Sequence, residues 1–369
     1  MEKVLGLVNL HTNINFGGLT KRRPVASVNF LGRYSVIDFV LSNMTNSNID
    51  KIGILVQEKP RSLFKYLGQG NPWTFNSKVG GLTMLYNEKY ANNSHYNHDI
   101  NNMLENLTFL KKSKAQYVVI APAHILTTIN YRDVIAMHEK KGSTITVVYK
   151  EIEQCSHNFI GEQCLDINNN RVIKTRPNHG IQEKENISLQ SYVINLETLI
   201  EIIEKASQTS TFFSLCEYMN YLVSDKVIDT YRYDGYVACL NSIQSYYQTS
   251  LQLLDTDVYR NVFNQKWPVY THTNDTPPSK YLPHAKITKT LVANGAVIDG
   301  VVENSIVGRN VVIEAGAKVK NSILLCDCII SKDTYLENVV IDKEAKVMHC
   351  KKLIGYHDDP MYVRKGDII

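Results

Sequence analysis

The sequence predicts an α/β protein: a mainly parallel sheet forms its N-terminal part and a parallel β-solenoid its C-terminal part. The first 265 of the 369 residues alternate short apolar runs with segments of helical period, as consecutive β-α-β units do. Residues 266–284 are rich in proline and other turn residues. Beyond them the apolar residues recur at every sixth position, which no helix does. We therefore expect a domain at 1–265, a linker at 266–284 and a second domain at 285–369.

The elements of the first domain follow from apolar spacing and from helix-end signals. Residues 4–8 form the first candidate strand. Ser35 is a plausible N-cap of a helix that leads to a β-branched strand at 51–56. A further helix begins at Pro60, which suits a first helical turn, and Gly68 is a natural stop. Later strands are expected at 117–121 and 144–149.

The C-terminal repeat predicts a solenoid with three short faces in each coil. One register contains Val301, Val307, Ile313, Val319 and Leu325, and a second contains Ile323, Ile329, Tyr335, Ile341 and Val347. In such a solenoid every sixth side chain points into the same stacked column. An ordinary β-sandwich, the alternative, would show a period of two.

Composition and charge exclude several classes of protein. A content of 44% hydrophobic and 21% charged residues is that of a folded globular protein. The net charge of +4 is spread along the chain, so we expect no nucleic-acid partner. No apolar run approaches the roughly 20 residues that span a bilayer, and the N-terminus does not look like a signal peptide. We therefore expect a cytoplasmic protein without a membrane partner.

The seven cysteines are scattered and contain no C-x-x-C pair. They are interpreted as reduced thiols in a reducing compartment. Cys326 and Cys328 could suggest a redox or metal site, but small residues on one face of a strand are the favoured interpretation.

Residues 19–43, LTKRRPVASVNFLGRYSVIDFVLSN, resemble the sugar-nucleotide pyrophosphorylases, and most of all the bacterial glucose-1-phosphate adenylyltransferases. Residues 236–247 resemble a second segment of that family, and the period-six region resembles its β-helix domain. The resemblance implies a Rossmann-like nucleotidyltransferase domain followed by a left-handed parallel β-helix of hexapeptide repeats.

That family joins ATP and glucose 1-phosphate into ADP-glucose and pyrophosphate, a step of glycogen biosynthesis. The attack of a sugar phosphate on the nucleotide α-phosphorus requires a loop that holds the phosphates, a cation for the leaving pyrophosphate and Mg²⁺. The resemblance therefore implies where these groups should lie in the chain.

At these positions the sequence departs from the family. The loop G-G-x-G-T-R is replaced by residues 10–15, which contain no glycine, and Asn15 stands at the arginine position. Ala123 and Cys239 stand where the family has its two metal-binding aspartates, and a thiol is a poor ligand for Mg²⁺. Losing a single electrostatic stabiliser costs about 10²–10³ in rate. We therefore expect a degenerate active site, with no catalytic residue and no metal in this chain.

The substrate pockets are altered less severely. Arg176 aligns with the family's lysine that contacts glucose 1-phosphate; it keeps the charge but not the geometry. His98 and Asp99 lie in a segment that aligns with the nucleotide pocket. They could form an acid–base pair, but a solvated helix N-terminus is the favoured interpretation.

Arg22 and Arg23 align with basic residues of the family motif, and the Arg22 position contributes there to a phosphorylated-activator site. The resemblance implies that they bind a phosphorylated sugar effector, because such anions need several cationic donors. A solvated loop is the alternative.

The resemblance as a whole implies a non-catalytic regulatory subunit, a pseudoenzyme that modulates a catalytic glucose-1-phosphate adenylyltransferase subunit. We expect a heterotetramer with Mg²⁺ in the catalytic partner, or a homodimer of this chain alone. One alternative is an active or weakly active nucleotidyltransferase that uses other carboxylates, such as Asp99 or Asp234. The others are a stand-alone sugar-phosphate or nucleotide sensor and, on the solenoid alone, a hexapeptide-repeat acyltransferase.

Overall fold

The computed structural model describes residues 4–12, 14–68, 70–73, 81–90, 93 and 96–369. The chain forms two compact units, each made of segments that are distant in sequence. The first unit comprises Met1–Asn13, Phe39–Cys239 and Trp267–Val269, and the second comprises Ile14–Asp38, Leu240–Lys266 and Tyr270–Ile369. Within the described ranges, no helix combines the length and the apolar character needed to cross a bilayer.

The strands before residue 240 include those of the central sheet and two short pairs. They are β1 (Val4–Asn9), β2 (Asn29–Phe30), β3 (Tyr34–Ser35), β4 (Lys51–Val56), β5 (Gly81–Tyr86), β6 (Tyr117–Pro122), β7 (Ile125–Thr127), β8 (Ile145–Glu153), β9 (Gln163–Asn168), β10 (Arg171–Pro177), β11 (Lys184–Asn195), β12 (Asp229–Arg232) and β13 (Val237–Cys239). The helices are α1 (Ile37–Asn46), α2 (Pro60–Leu67), α3 (Asp99–Glu105), α4 (Leu107–Ser113), α5 (Tyr131–Lys141), α6 (Leu196–Thr209), α7 (Leu215–Asp225), α8 (Ile243–Gln252) and α9 (Thr256–Val262).

In the described part of the chain, the first unit is built on a nine-stranded sheet with the order β5-β4-β1-β6-β11-β8-β12-β10-β9. The strands from β5 to β6 are parallel. On the other side, β11 runs antiparallel to β6 and β8, so the sheet is mixed. The expected strand at 51–56 and the helix that starts at Pro60 and stops before Gly68 are confirmed.

The apolar core of the first unit lies between this sheet and helices α3, α6 and α7. Strands β1 and β6 are buried along almost their whole length, because parallel strands are covered on both faces. Their partners in the core include Met103, Leu199, Ile203 and Leu222, all buried. This core fixes the sheet edge at which β1 and β6 end.

The second unit contains a parallel β-helix of three five-stranded sheets. Its strands are β14 (Lys280–Tyr281), β15 (Lys286–Thr288), β16 (Leu291–Val292), β17 (Val297–Ile298), β18 (Val301–Glu303), β19 (Ile306–Val307), β20 (Val312–Ile313), β21 (Lys318–Lys320), β22 (Ile323–Leu324), β23 (Ile329–Ile330), β24 (Tyr335–Glu337), β25 (Val339–Ile341), β26 (Lys346–Val347), β27 (Lys352–Ile354) and β28 (Met361–Val363). Each sheet takes every third strand, and all pairings are parallel.

The inward side chains follow one register instead of two. The buried core contains Val302, Val307, Ile313, Val319, Leu324, Ile330, Leu336, Ile341 and Val347. Their spacing of 5, 6, 6, 5, 6, 6, 5 and 6 residues explains why a strict period of six splits into two registers. Val319 pairs with both Val302 and Leu336, so a full coil there takes 17 residues.

The corners of the coil repeat with the same spacing. Asn304, Asn321 and Asn338 have φ of 45°, 44° and 53°, the left-handed region that asparagine tolerates better than most residues. The Asn304 amide also donates to the side-chain oxygen of Asn321 at 2.8 Å. A stacked asparagine corner therefore turns the chain between two faces of the β-helix.

The compact units do not coincide with the expected domains, since residues 14–38 and 240–266 belong to the second unit. Long-range hydrogen bonds explain this grouping. The Tyr246 hydroxyl donates to the Asn29 carbonyl at 2.7 Å, and the Tyr247 hydroxyl donates to the Asn321 carbonyl at 2.6 Å. Both tyrosines are completely buried.

A buried ion pair inside the second unit joins Arg23 to Asp342. The guanidinium binds both carboxylate oxygens, and its Nε donates to the Leu19 carbonyl at 2.8 Å. The Tyr362 hydroxyl donates to the same carboxylate at 2.8 Å. Side-chain exposure is 11% for Arg23 and 2% for Asp342, so the pair is shielded from solvent.

The segment expected as a linker, 266–284, is divided between the two units: residues 267–269 belong to the first and the others to the second. The Trp267 indole donates to Asn43 Oδ1 at 3.0 Å, and the Pro268 carbonyl accepts from Asn46 at 2.9 Å, within the first unit. Strand β14 already pairs with β17. The β-helix therefore begins inside the segment predicted as a linker.

We predict that Asp342→Asn lowers the free energy of unfolding of the second unit by about 3–5 kcal/mol, because it leaves a buried guanidinium without its counter-charge. The matched control is Glu344→Gln, whose exposed pair with Lys365 should contribute less than about 1 kcal/mol. Differential scanning calorimetry of both variants measures the effect. Equal destabilisation by the two substitutions would contradict this role of the buried pair.

Candidate functional site

The two positions expected to have lost metal ligands lie at one edge of the first unit's sheet. Ala123 follows the end of β6, and Cys239 ends β13. Strands β7 and β13 are antiparallel, with Cys239 opposite Ile125, two residues after Ala123. Asn9, the last residue of β1, pairs with Pro122. The carboxyl ends of parallel strands are the usual place for ligands in such sheets.

His124, Glu162 and Cys239 form a buried cluster at this edge. The Cys239 thiol donates to Glu162 Oε1 at 3.3 Å, and His124 Nε2 lies 3.4 Å from the same oxygen. One possible ligand atom from each residue lies within 4.8 Å of the others. The three side chains come from the β6–β7 connection, the loop before β9 and the end of β13, so only the folded chain brings them together.

The position of Glu162 is fixed by its neighbours. Its carbonyl accepts from the Asn178 backbone at 2.7 Å, and its Oε2 accepts from the Gln190 amide at 2.8 Å. Gln190 has φ of 48° and lies in the irregular pairing of β11 between Ser188 and Ser191. The bulge thus directs Gln190 toward the carboxylate. No motif or spacing in the sequence marks Glu162, so the sequence does not predict it as a site residue.

Burial and the contacts within the cluster change the pKa values of Glu162 and Cys239. Burial alone would raise the pKa of Glu162, but the charge of His124 and hydrogen bonds from His124, Cys239 and Gln190 lower it overall. Burial, followed by the charge of Glu162, raises the pKa of the Cys239 thiol well above its usual range. The carboxylate is therefore ionised, and the thiol is the protonated donor.

This set of side chains does not fit Mg²⁺. That ion requires near-octahedral oxygen ligands at about 2.0–2.1 Å, and the cluster offers one carboxylate beside an imidazole and a thiol. Ala123 has no ligand atom. The residues at the two family positions therefore do not form the magnesium site of the resemblance.

The loop after β1 closes on the segment expected to form a nucleotide pocket. Nδ1 of His11 lies 3.0 Å from the Asn97 carbonyl, and Nε2 lies 2.9 Å from the Asn102 amide nitrogen. Burial lowers the pKa of His11 to about 4, so the ring is neutral. It then donates to Asn97 and accepts from Asn102. The His11 backbone N–H donates to Asn9 Oδ1 at 3.0 Å, so a side chain occupies a backbone donor of the kind that a glycine loop directs at phosphates.

Asn13 lies outside the described residues. Asn15 is exposed in the second unit, where its Oδ1 accepts from the Gly17 backbone at 2.8 Å and from the Thr20 hydroxyl at 3.1 Å. It stabilises a local turn and carries no positive charge for pyrophosphate.

The expectation of a solvated helix N-terminus is wrong for Asp99, which is only 2% exposed. Its carboxylate accepts from the Asn9 amide at 2.7 Å and from the Ile100 and Leu215 backbones at 2.8 and 2.9 Å. The residue holds the start of α3 against β1 and α7. Asp234, the other alternative carboxylate, is 78% exposed and pairs with Arg232 at 3.0 Å.

Arg176 lies on β10 and lines an open cleft of about 610 Å³. Its Nη2 binds Glu185 at 2.7 Å, and its Nε lies 3.7 Å from Asp166. The hydrogen bond that Arg176 donates to Glu185 is the main reason that the pKa of Arg176 is raised. A sugar phosphate would have to compete with two carboxylates for this cation. Its role toward glucose 1-phosphate stays a prediction.

The two arginines expected to bind an effector have different surroundings. Arg22 is exposed, whereas Arg23 is buried and uses its guanidinium on Asp342. Only Arg22 can meet a dissolved anion without breaking a buried ion pair. The effector site stays a prediction for both residues.

Comparison with known proteins agrees with this fold. Residues 16–159 match the nucleotidyl transferase family, and residues 277–360 match the family described as GlmU-like, C-terminal hexapeptide. The glycogen biosynthesis protein GlgD of Bacillus subtilis is 30% identical over 99% of this chain and 96% of that protein.

Enzymes are among the relatives as well. The glucose-1-phosphate adenylyltransferase of Fervidobacterium nodosum is 27% identical over 99% of this chain and 89% of that enzyme. That of Thermotoga neapolitana is 31% identical over 82% of this chain and 73% of that enzyme. The expected nucleotidyltransferase domain followed by a left-handed β-helix is thereby confirmed. The chain belongs to the family that contains the bacterial glucose-1-phosphate adenylyltransferases and the glycogen biosynthesis protein GlgD.

Proposed function

We propose that this chain is a non-catalytic regulatory subunit of glucose-1-phosphate adenylyltransferase in glycogen biosynthesis. The observation that carries the proposal is the edge of the sheet where β1 and β6 end. There, Ala123 and Cys239 replace the carboxylates of the family, and a neutral His11 joins the loop to Asn97 and Asn102.

On energetic grounds we expect no appreciable turnover by this chain alone. Each preorganised electrostatic stabiliser contributes about 10²–10³ in rate. Here the loop arginine, two metal carboxylates and the glycine loop are replaced together. Each unit nevertheless has a large buried core in the described residues, which supports a structural role for this chain in an assembly.

Regulation would act through a coupling free energy between this chain and a catalytic subunit. If this chain favours the competent conformation of its partner, about 1–3 kcal/mol is enough for a 5- to 150-fold change. We propose a heterotetramer in which the catalytic subunit holds Mg²⁺. Arg22, exposed and cationic, would contribute to binding a phosphorylated sugar effector.

The proposal predicts the outcome of a three-way assay of pyrophosphate release from ATP, glucose 1-phosphate and Mg²⁺. This chain alone should show no turnover above background, because its stabilising groups are missing. Mixed with the catalytic homologue from the same cell, it should raise kcat or effector affinity about 5- to 150-fold. The control replaces this chain by an equal amount of extra catalytic subunit. Robust turnover by this chain alone would establish an active enzyme, and no effect in the mixture would contradict the regulatory role.

We also predict that Arg22→Ala raises the concentration of a phosphorylated sugar effector needed for half-maximal activation of the mixture about tenfold, equivalent to about 1.4 kcal/mol. The loss follows from removing one charge-assisted contact to the anion. Arg260→Ala, an exposed arginine on α9, is the matched control. Titration of the effector measures the change, and the same shift in both variants would rule out a specific site at Arg22.

A further inference from the structure

The buried cluster of His124, Glu162 and Cys239 has the chemistry of a site for a softer cation than Mg²⁺. It combines one nitrogen, one oxygen and one sulfur atom. Zn²⁺ is bound in proteins by this mixture of imidazole, carboxylate and thiolate ligands. With a neutral imidazole and the thiolate form of Cys239, the ligands carry two negative charges, which match the charge of the ion.

The distances in the cluster agree with such a site. Ligands at about 2.0–2.3 Å from a tetrahedral Zn²⁺ are separated from one another by about 3.4–3.6 Å. His124 Nε2 and Glu162 Oε1 are 3.4 Å apart, and Cys239 Sγ and Glu162 Oε1 are 3.3 Å apart. The ring nitrogen of His124 and Cys239 Sγ lie within 4.8 Å of each other, so this third pair would close by at most about 1.3 Å around an ion.

The His124 ring gives an independent indication of a missing ligand. The residue is 3% exposed; its Nδ1 makes no hydrogen bond to any residue that the structure describes, and its Nε2 has only the long 3.4 Å approach to Glu162 Oε1. A buried polar group without a partner costs free energy. A cation bound at Nε2, the nitrogen that faces Glu162, would give that nitrogen a close partner.

The surroundings of the cluster are arranged as for a ligand set. Gln190 donates to the second oxygen of Glu162 at 2.8 Å, which leaves Oε1 directed at His124 and Cys239. Contacts of this kind hold metal ligands in orientation. The β7–β13 pairing likewise fixes Cys239 beside the segment that contains His124.

We propose that His124, Glu162 and Cys239 form a binding site for a borderline divalent cation, Zn²⁺ in particular. Binding releases the Cys239 thiol proton to water, and the three protein ligands leave a fourth tetrahedral position. The ion ties the loop before β9 to the β7–β13 pair. This inference is independent of the proposed regulatory function, since the site can bind Zn²⁺ whether or not the chain modulates a partner.

The test is a metal titration of the full-length chain, prepared without a polyhistidine tag and freed of metal by chelation. Co²⁺ serves as the probe, because a thiolate bound to Co²⁺ gives a charge-transfer absorption in the near ultraviolet. We expect one Co²⁺ per chain, tetrahedral visible bands, displacement by one Zn²⁺ and no displacement by excess Mg²⁺. Zn²⁺ should also raise the temperature of thermal unfolding, because it binds only the folded chain.

Variants locate the site. Cys239→Ser should abolish the charge-transfer band, whereas Cys350→Ser, at a half-buried thiol that donates to the Lys352 carbonyl, should leave it unchanged. Gln190→Ala should weaken Zn²⁺ about 10- to 100-fold, as a loss of ligand orientation does, and Glu162→Gln should weaken it further. Circular dichroism of each metal-free variant verifies folding.

Two results would overturn the inference: a folded chain that takes up no Co²⁺ or Zn²⁺, or a charge-transfer band that persists in Cys239→Ser. If Cys239→Ser fails to fold, Glu162→Gln and Gln190→Ala still test the inference. Unchanged Zn²⁺ affinity in both variants would place the metal elsewhere and overturn it.

Discussion

The parallel pairing of β1 with β6 is the constraint on which the rest of the first unit depends. It ends both strands at one sheet edge, with Asn9 beside Pro122. The segments that follow β1 and β6 therefore both start at this edge. The pairing of β7 with β13 brings Cys239 close to the same edge. The chemistry that is possible at this edge is therefore decided by the side chains of these segments.

At that edge, a negative charge is balanced by short-range contacts inside the protein. Glu162 is buried and ionised because His124, Cys239 and Gln190 all face its oxygens. Its loop in turn depends on Asn178, whose buried amide binds the carbonyls of Cys155, Asn158 and Phe159. The arrangement suits a compact ion better than a magnesium triphosphate.

The second unit also contains buried charges, and there a cation and a carboxylate neutralise each other. Arg23 and Asp342 are separated by 319 positions in the sequence, yet they form a shielded pair that Tyr362 completes. A cation used in this way contributes to folding and is not available to a dissolved anion at low cost. Neighbouring residues of one motif can therefore have separate roles, and Arg22 remains at the surface.

The sequence by itself determined the fold class, the strand at 51–56, the helix from Pro60 and the β-helix. These features depend on local periodicity and on the residues that start and stop helices. It also identified Ala123 and Cys239 as altered positions. Only the tertiary structure decided the grouping of residues 14–38 with the β-helix, the burial of Asp99 and the convergence of His124 and Glu162 on Cys239. Those outcomes depend on contacts between residues far apart in the chain, which leave no periodic signal in the sequence.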